Sequence, residues 1–293
     1  MRNAEKMVNL VKTGKVGELL FDGAASFDDG GDTTYGGHLL AQASYSASQT
    51  VIDSEKRLHA ITANFLQAGI SGRKYSYKVE ILSDGKSFSR RNVRAFQENR
   101  LILQLVASFC KEGDGLNFKA ESPPDFSSIP KPESLPTYDV LMNSLNRVPF
   151  REDWAFRQHG FDRRIIKAPW TNDQFNSSDG IKMWIKADGH VNKLKNLHET
   201  LLIYQSDESL ADNILIPFGL TWSSPEVFMV SLDHSLWIHQ PIDVNEWLYI
   251  EQEPIIAIFE RGLAKAHVWN SEGILVATFL QEALFRKTKK RLV

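Results

Sequence analysis

The sequence predicts an α+β fold built twice over, and three observations predict it. Residues 38–51 place Leu39, Ala43, Ala47 and Val51 at four-residue spacing, a helix with one face small enough for a sheet to wrap closely. Four or five segments of alternating hydrophobicity separated by turn signals follow it, the pattern of an antiparallel sheet. The same order of elements then returns. Arg100–Ser108 and Gly273–Gln281 correspond at one register, a shift of 173 at both ends, as in a fused duplicate.

Taken in order, residues 1–21 hold Met7, Leu10, Val11 and Val16 among charges and read as a short amphipathic helix and turn. A glycine cluster, residues 30–37, runs into the helix at His38. It has neither Gly-x-x-x-x-Gly-Lys-Ser/Thr nor Gly-x-Gly-x-x-Gly after a strand, so it is no phosphate loop. It reads either as a flexible turn or as a bare helix start, whose free N–H groups can receive an oxyanion. Strands are expected over 58–66, 75–82, 87–96 and 101–109, the last two as a hairpin turning at 98–100. Residues 112–136 carry five prolines and read as an ordered linker over the surface, and 137–170 as an insertion with Trp154, Phe156 and Trp170. The second half has a helix over 196–204, a strand from Val230, an extended stretch over 247–258, and a closing hairpin of 262–269 with 274–281. The expected division is thus 1–111, a connection over 112–170, and 171–293.

The composition, 42% hydrophobic and 24% charged with a net charge of -2, is that of a soluble globular protein with no basic footprint for nucleic acid. No run is long enough for a membrane span, and the amino terminus lacks the apolar core of a signal peptide, so an intracellular protein is expected. The single cysteine, Cys110, reads as a half-buried strand-end residue.

Chemistry is expected at Val230–Trp247, where two tryptophans, two histidines and two hydroxyls crowd one strand and the turn after it. Strict alternation puts Val230, Leu232, His234, Leu236 and Ile238 on one face, and Ser231, Asp233, Ser235, Trp237 and His239 on the other. On that alternation Ser231 and His234 cannot meet in a nucleophilic triad, and there is no Gly-x-Ser-x-Gly elbow. His234 and His239 have no third ligand at a metal-binding spacing, so no metal is expected.

Four motifs carry a resemblance: Asp233-His-Ser-Leu-Trp-Ile-His-Gln-Pro241 with Glu246-Trp247, Tyr35-Gly-Gly-His-Leu-Leu-Ala-Gln42, Asp84-Gly-Lys-Ser-Phe-Ser89 and Val276-Ala-Thr-Phe-Leu-Gln-Glu282. Over about residues 15–287 the chain resembles the acyl-CoA thioesterase II family, bacterial and peroxisomal. The resemblance implies a double hot-dog, with two helix-wrapped antiparallel sheets joined into one. It also implies hydrolysis of acyl-CoA without metal, cofactor or covalent acyl-enzyme. The family's Asp, hydroxyl and Gln fall on Asp207, Ser231 and Gln281.

These residue types suit the reaction. A thioester is already activated, so a water deprotonated by Asp207 and aimed by Ser231 and Gln281 suffices, with Gly36 and Gly37 as the oxyanion donors. Without the resemblance, the three would read as a helix end, a strand hydroxyl and a sheet bridge. In the first half, Thr62, Gln67 and Ala68 depart from the family pattern, which leaves substrate preference open. A specialised acyl thioester of secondary metabolism, or a non-catalytic acyl-CoA-binding module, are the alternatives. A homo-oligomer is expected, and the terminal Arg291-Leu292-Val293 is a poor peroxisomal address, leaving cytoplasm or peroxisome. Phe65, Phe88 and Trp237 are expected to set pocket depth.

Overall fold

The computed structural model describes residues 3–25, 32–119, 122–144, 160–168, 180–221, 224 and 226–287. Trp154, Phe156, Trp170, the first two glycines of the cluster and the carboxyl-terminal tripeptide lie outside the described residues.

The first half contributes α1 (Asn3–Val11), β1 (Thr13–Lys15), β2 (Leu20–Gly23), α2 (Gly36–Ser48), β3 (Arg57–Phe65), β4 (Tyr75–Asp84), β5 (Phe88–Gln97) and β6 (Arg100–Cys110). After α3 (Tyr138–Ser144) come β7 (Phe161–Lys167), β8 (Lys182–Ala187), α4 (Leu197–Ser206), β9 (Val227–Ile238), β10 (Leu248–Ile258), β11 (Arg261–Asn270) and β12 (Leu275–Lys287). All twelve strands form one sheet in the order β1-β2-β4-β5-β6-β3-β9-β12-β11-β10-β8-β7. Read from the centre outward, the order is the same in both directions, six strands to a half. β3 and β9 join the halves, pairing antiparallel from Ala60 with Trp237 to Asn64 with Asp233. This is the double hot-dog arrangement.

The small face of α2 does what its sequence predicts. Leu39, Leu40, Ala43 and Ala47 are buried, and α2 packs against β3 to β6 and against α4, all ten residues of which are buried. Each fully buried leucine or isoleucine there contributes about 1.5–3 kcal/mol. Among the described residues, no helix is long and apolar enough to cross a membrane.

Four strands correct the sequence reading. β1 and β2 lie in the stretch expected as helix and turn, and are too short to show a period. β7 lies in the expected insertion, yet it pairs with β8 at the edge of the second half, a strand the sequence reading also lacked. Its inward residues are Phe161, Arg163 and Ile165, and the buried arginine hides the alternation. The expected linker is draped on the outer side of that half. Phe126 stacks near Trp184 and Tyr249 at 5.8 Å, and Glu133 accepts from the Trp247 indole.

Candidate active site

The site forms where the start of α2 meets the end of α4. Tyr35, the residue before α2, donates its hydroxyl to the Tyr204 carbonyl at 2.8 Å, and the two rings meet edge to face at 5.0 Å. Three residues after Tyr204, Asp207 caps α4 and turns its carboxylate toward α2. The Gly37 N–H donates to Asp207 Oδ2 at 2.9 Å. This closeness explains both glycines. A Cβ on Gly37 would run into the Tyr204 carbonyl, and one on Gly36 would sit 2.7 Å from Asp207 Oδ2. Sequence reasoning offered both N–H groups to an oxyanion. The Gly37 N–H is turned instead to the carboxylate.

The second half of the site comes from β9 and β12, and a bulge shapes it. Asp233 pairs with Glu282 and Ser231 with Ala283, so Leu232 is an extra residue that resets the alternation. Phe228 and Val230 face out, whereas Ser231, His234 and Leu236 all face the helices. The expectation that Ser231 and His234 lie on opposite faces is therefore wrong. They still form no triad, because His234 Nε2 pairs with Ser206 Oγ at 2.8 Å.

Gln281, 1% exposed, ties the two parts together. Its Nε2 donates to Asp207 Oδ1 at 2.6 Å and to Ser231 Oγ at 2.8 Å. Both amide protons are thereby used, and Oε1 is turned away from them. Gln281 lies directly opposite His234 in the sheet. The amide Oε1 and the imidazole Nδ1 are both buried without a well-formed partner, so the Nδ1–H tautomer presents a donor to that acceptor. Burial drives the His234 pKa down to about 4, with the Gln281 contact opposing it, so the ring is neutral at pH 7.

The halves are unequal at this level. The pair Thr62 and Ser235 is central in the β3–β9 junction, and the symmetry it defines matches His234 with Ile61 and Gln281 with Ala107. Both counterparts are apolar, so only the second half presents this constellation. The structural offset for β6 and β12 is thus 174, not 173. The sequence register would match inward Gln281 with Ser108, which instead pairs with His59 on the other face.

Asp207, Ser231 and Gln281 line one cavity of about 150 Å³. Its walls include Ile165, Ile181, Met183 and Met229, and also Arg163, Glu208 and Asp212, which sequence reasoning missed. Burial, then the carboxylates of Glu208 and Asp207, push the Asp212 pKa well above the usual range. The expected Phe65, Phe88 and Trp237 are not among the lining residues, and the aromatic side chains that line this cavity are Tyr35 and Tyr138. Trp237 (38% exposed) and Phe88 (51%) are on the outer face, Phe65 stands beside Gly36, and His239 bonds Thr278.

The acyl-CoA thioesterase N-terminal domain family matches residues 24–110 and the acyl-CoA thioesterase C-terminal domain family residues 132–285. Acyl-CoA thioesterase 2 of Haemophilus influenzae is 29% identical over 289 residues, covering 96% of each chain. Human acyl-coenzyme A thioesterase 8 is 29% identical over 261 residues, 86% of this chain and 80% of the relative. The crystal structure of acyl-CoA thioesterase II TesB2 from Mycobacterium marinum superposes with a TM-score of 0.78 at 23% identity, covering 98% of this chain and 100% of the other.

Proposed function

The chain belongs to the acyl-CoA thioesterase family, and on that premise we propose that it hydrolyses acyl-CoA to free acid and CoA with a water activated by Asp207 and oriented by Ser231 and Gln281. The observation that carries this reading is the Gln281 amide spanning Asp207 and Ser231. A water bonded to Asp207 and Ser231, both of which the Gln281 amide holds in place, loses its proton to Asp207 as its oxygen attacks the thioester carbonyl carbon. The Gly36 N–H receives the oxygen of the tetrahedral intermediate, with the α2 dipole behind it. Collapse then breaks the C–S bond, and CoA leaves as a thiolate. Gly37 acts on the base, by holding Asp207 in place.

A single turnover in ¹⁸O-water with enzyme in excess tests the role of water. Direct attack puts the label in the released acid in the first turnover. Label found first in the Asp207 carboxylate means that Asp207 attacks as a nucleophile, which overturns the proposal.

We further propose that the unit duplicated in 1–111 and 171–293 is bridged by 112–170, whose β7 is taken into the sheet of the second half, that the chain forms a homo-oligomer, and that it works in the cytoplasm or peroxisome. Light scattering after size exclusion tests the second of these, and imaging of the tagged full chain tests the third.

A further inference from the structure

Exposed apolar side chains gather at one end of the sheet, where β10 turns into β11. Ile258 pairs with Arg261, so this hairpin turns through Phe259 and Glu260 alone, at φ 51° and 60°. Such a turn suits Asn-Gly, and a bulky aromatic residue is strained in it. Phe259 stands there nonetheless, 82% exposed. The corresponding hairpin of the first half, β4–β5, turns through Gly85-Lys86-Ser87, so the architecture does not require an aromatic tip. Behind the tip, Ile256 and Ile258 on β10 and Phe228 and Val230 on β9 are exposed. Strand pairing sets Ile258, Arg261, Leu284 and Val230 in one row on the outer face, which makes the patch continuous across four strands. On the other face of the same end, exposed Phe218 lies against Phe285, with the rings 5.8 Å apart. An apolar surface this concentrated marks a contact.

Charge identifies the partner. The whole chain carries a net charge of -2 and is not drawn to an anionic surface as a body. The rim of this patch differs. Its acids are paired, Glu260 with Arg286 and Glu282 with Arg261. β12 ends beside the tip on Arg286 and Lys287, and the sequence continues Thr288-Lys289-Lys290-Arg291, which makes five cations in six residues. A second copy seated on the patch about a two-fold axis would meet the same cations that it brings. An anionic lipid surface opposes neither part, since its headgroups attract Lys and Arg while its interface takes up Phe and Ile.

We infer that the β10–β11 hairpin tip, with the basic end of β12 beside it, docks the protein on a membrane that carries anionic lipid, Phe259 and Ile258 entering the interface. Phe228 and Val230 of this patch alternate on β9 with Met229 and Ser231, which line the cavity, so the docking surface and the site are opposite faces of one stretch of strand. The docking goes beyond the thioesterase reading and is measured without turnover.

Flotation of the full chain with vesicles of phosphatidylcholine, alone or with about a third phosphatidylserine, tests this. At low salt the wild type is expected to bind the anionic vesicles about tenfold more than the neutral ones, and to lose most of that excess in about 1 M salt, where exposed charges are screened. Phe259→Gly suits the positive φ and Ile258→Thr keeps a β-branched residue in the strand, so the double variant folds. It keeps every charge, and its binding to anionic vesicles is expected to fall about tenfold. Lys289→Gln/Lys290→Gln/Arg291→Gln keeps the apolar tip and is expected to bind both kinds of vesicle equally and weakly. A wild type that binds neither kind, or variants that bind as the wild type does, overturns the inference. So does a wild-type oligomer that binds no vesicle and that Phe259→Gly/Ile258→Thr dissociates in light scattering, which would make the patch an interface between copies of this chain.

Discussion

The backbone N–H of Gly37, at the start of the first central helix, donates to the carboxylate of Asp207, 170 residues further along the chain at the end of the second. One hydrogen bond thus makes the candidate base depend on how the two halves pack. Gly37→Ala places a methyl against the Tyr204 carbonyl and 2.5 Å from a carbon of the Tyr35 ring, so backbone at the α2–α4 contact must shift to admit it. The expected result is a loss of about 1–3 kcal/mol in urea unfolding, the range for overpacking a tight site, with a fall in kcat/KM measured at a temperature where the variant is still folded.

Gln281 and Ser231 act as one unit, which a double-mutant cycle resolves. Gln281→Leu removes the contacts to both Asp207 and Ser231 and is expected to lower kcat by about a hundredfold, Ser231→Ala by about tenfold. The double variant falls little below Gln281→Leu alone, since residues sharing one network are not additive. Full additivity would show that the two side chains work independently.

His234 makes stability depend on pH on the acid side. Its folded pKa of about 4 lies below the ordinary 6.5 because the ring is fully buried. The unfolded chain therefore takes up this proton first, so stability is complete above pH 6.5 and is lost as pH falls toward 4. A shift of that size is worth about 3 kcal/mol across the window. Urea unfolding of wild type and His234→Gln at pH 7 and pH 4.5 measures it, and the variant is expected to lose less stability between the two.

Asp212 acts in the opposite direction. Its pKa is raised by burial and by neighbouring carboxylates, so its contribution is present below the unfolded value of 3.8 and is lost as pH rises through the folded one. Asp212→Asn keeps the shape and cannot ionise. At pH 8 its melting temperature is expected to equal or exceed that of the wild type, and a marked decrease would mean that the carboxylate is ionised and held by a partner.

Much of this was legible in the sequence, for reasons that particular residues make plain. The α2 face of Leu39, Ala43 and Ala47 and the period-two runs of β3 to β6 report a helix wrapped by antiparallel strands. Asp207, Ser231 and Gln281 were reached through motifs, and the structure brings their side chains within hydrogen-bonding distance. What stayed hidden was local. The bulge at Leu232 changes which side chains of β9 face the helices while leaving no mark on the pattern. In β7 an inward arginine stands where a strand period requires an apolar residue, so the strand and the polar wall it builds disappeared together. Trp237, expected to set pocket depth, and Trp247 cover the outside of the sheet, one partly exposed and one against the linker.

The central claim is that Asp207 activates the water that attacks the thioester, and release of free thiol from a panel of acyl-CoAs by wild type and by Asp207→Asn tests it most directly. The Asn side chain keeps an oxygen for either the Gly37 N–H or Gln281 and turns its NH2 toward the other donor, so some loss of melting temperature is expected and activity is compared at a temperature where both proteins are folded. The expected fall in kcat/KM is about two to four orders of magnitude, the value of a general base. Equal activity in the two proteins would contradict the account.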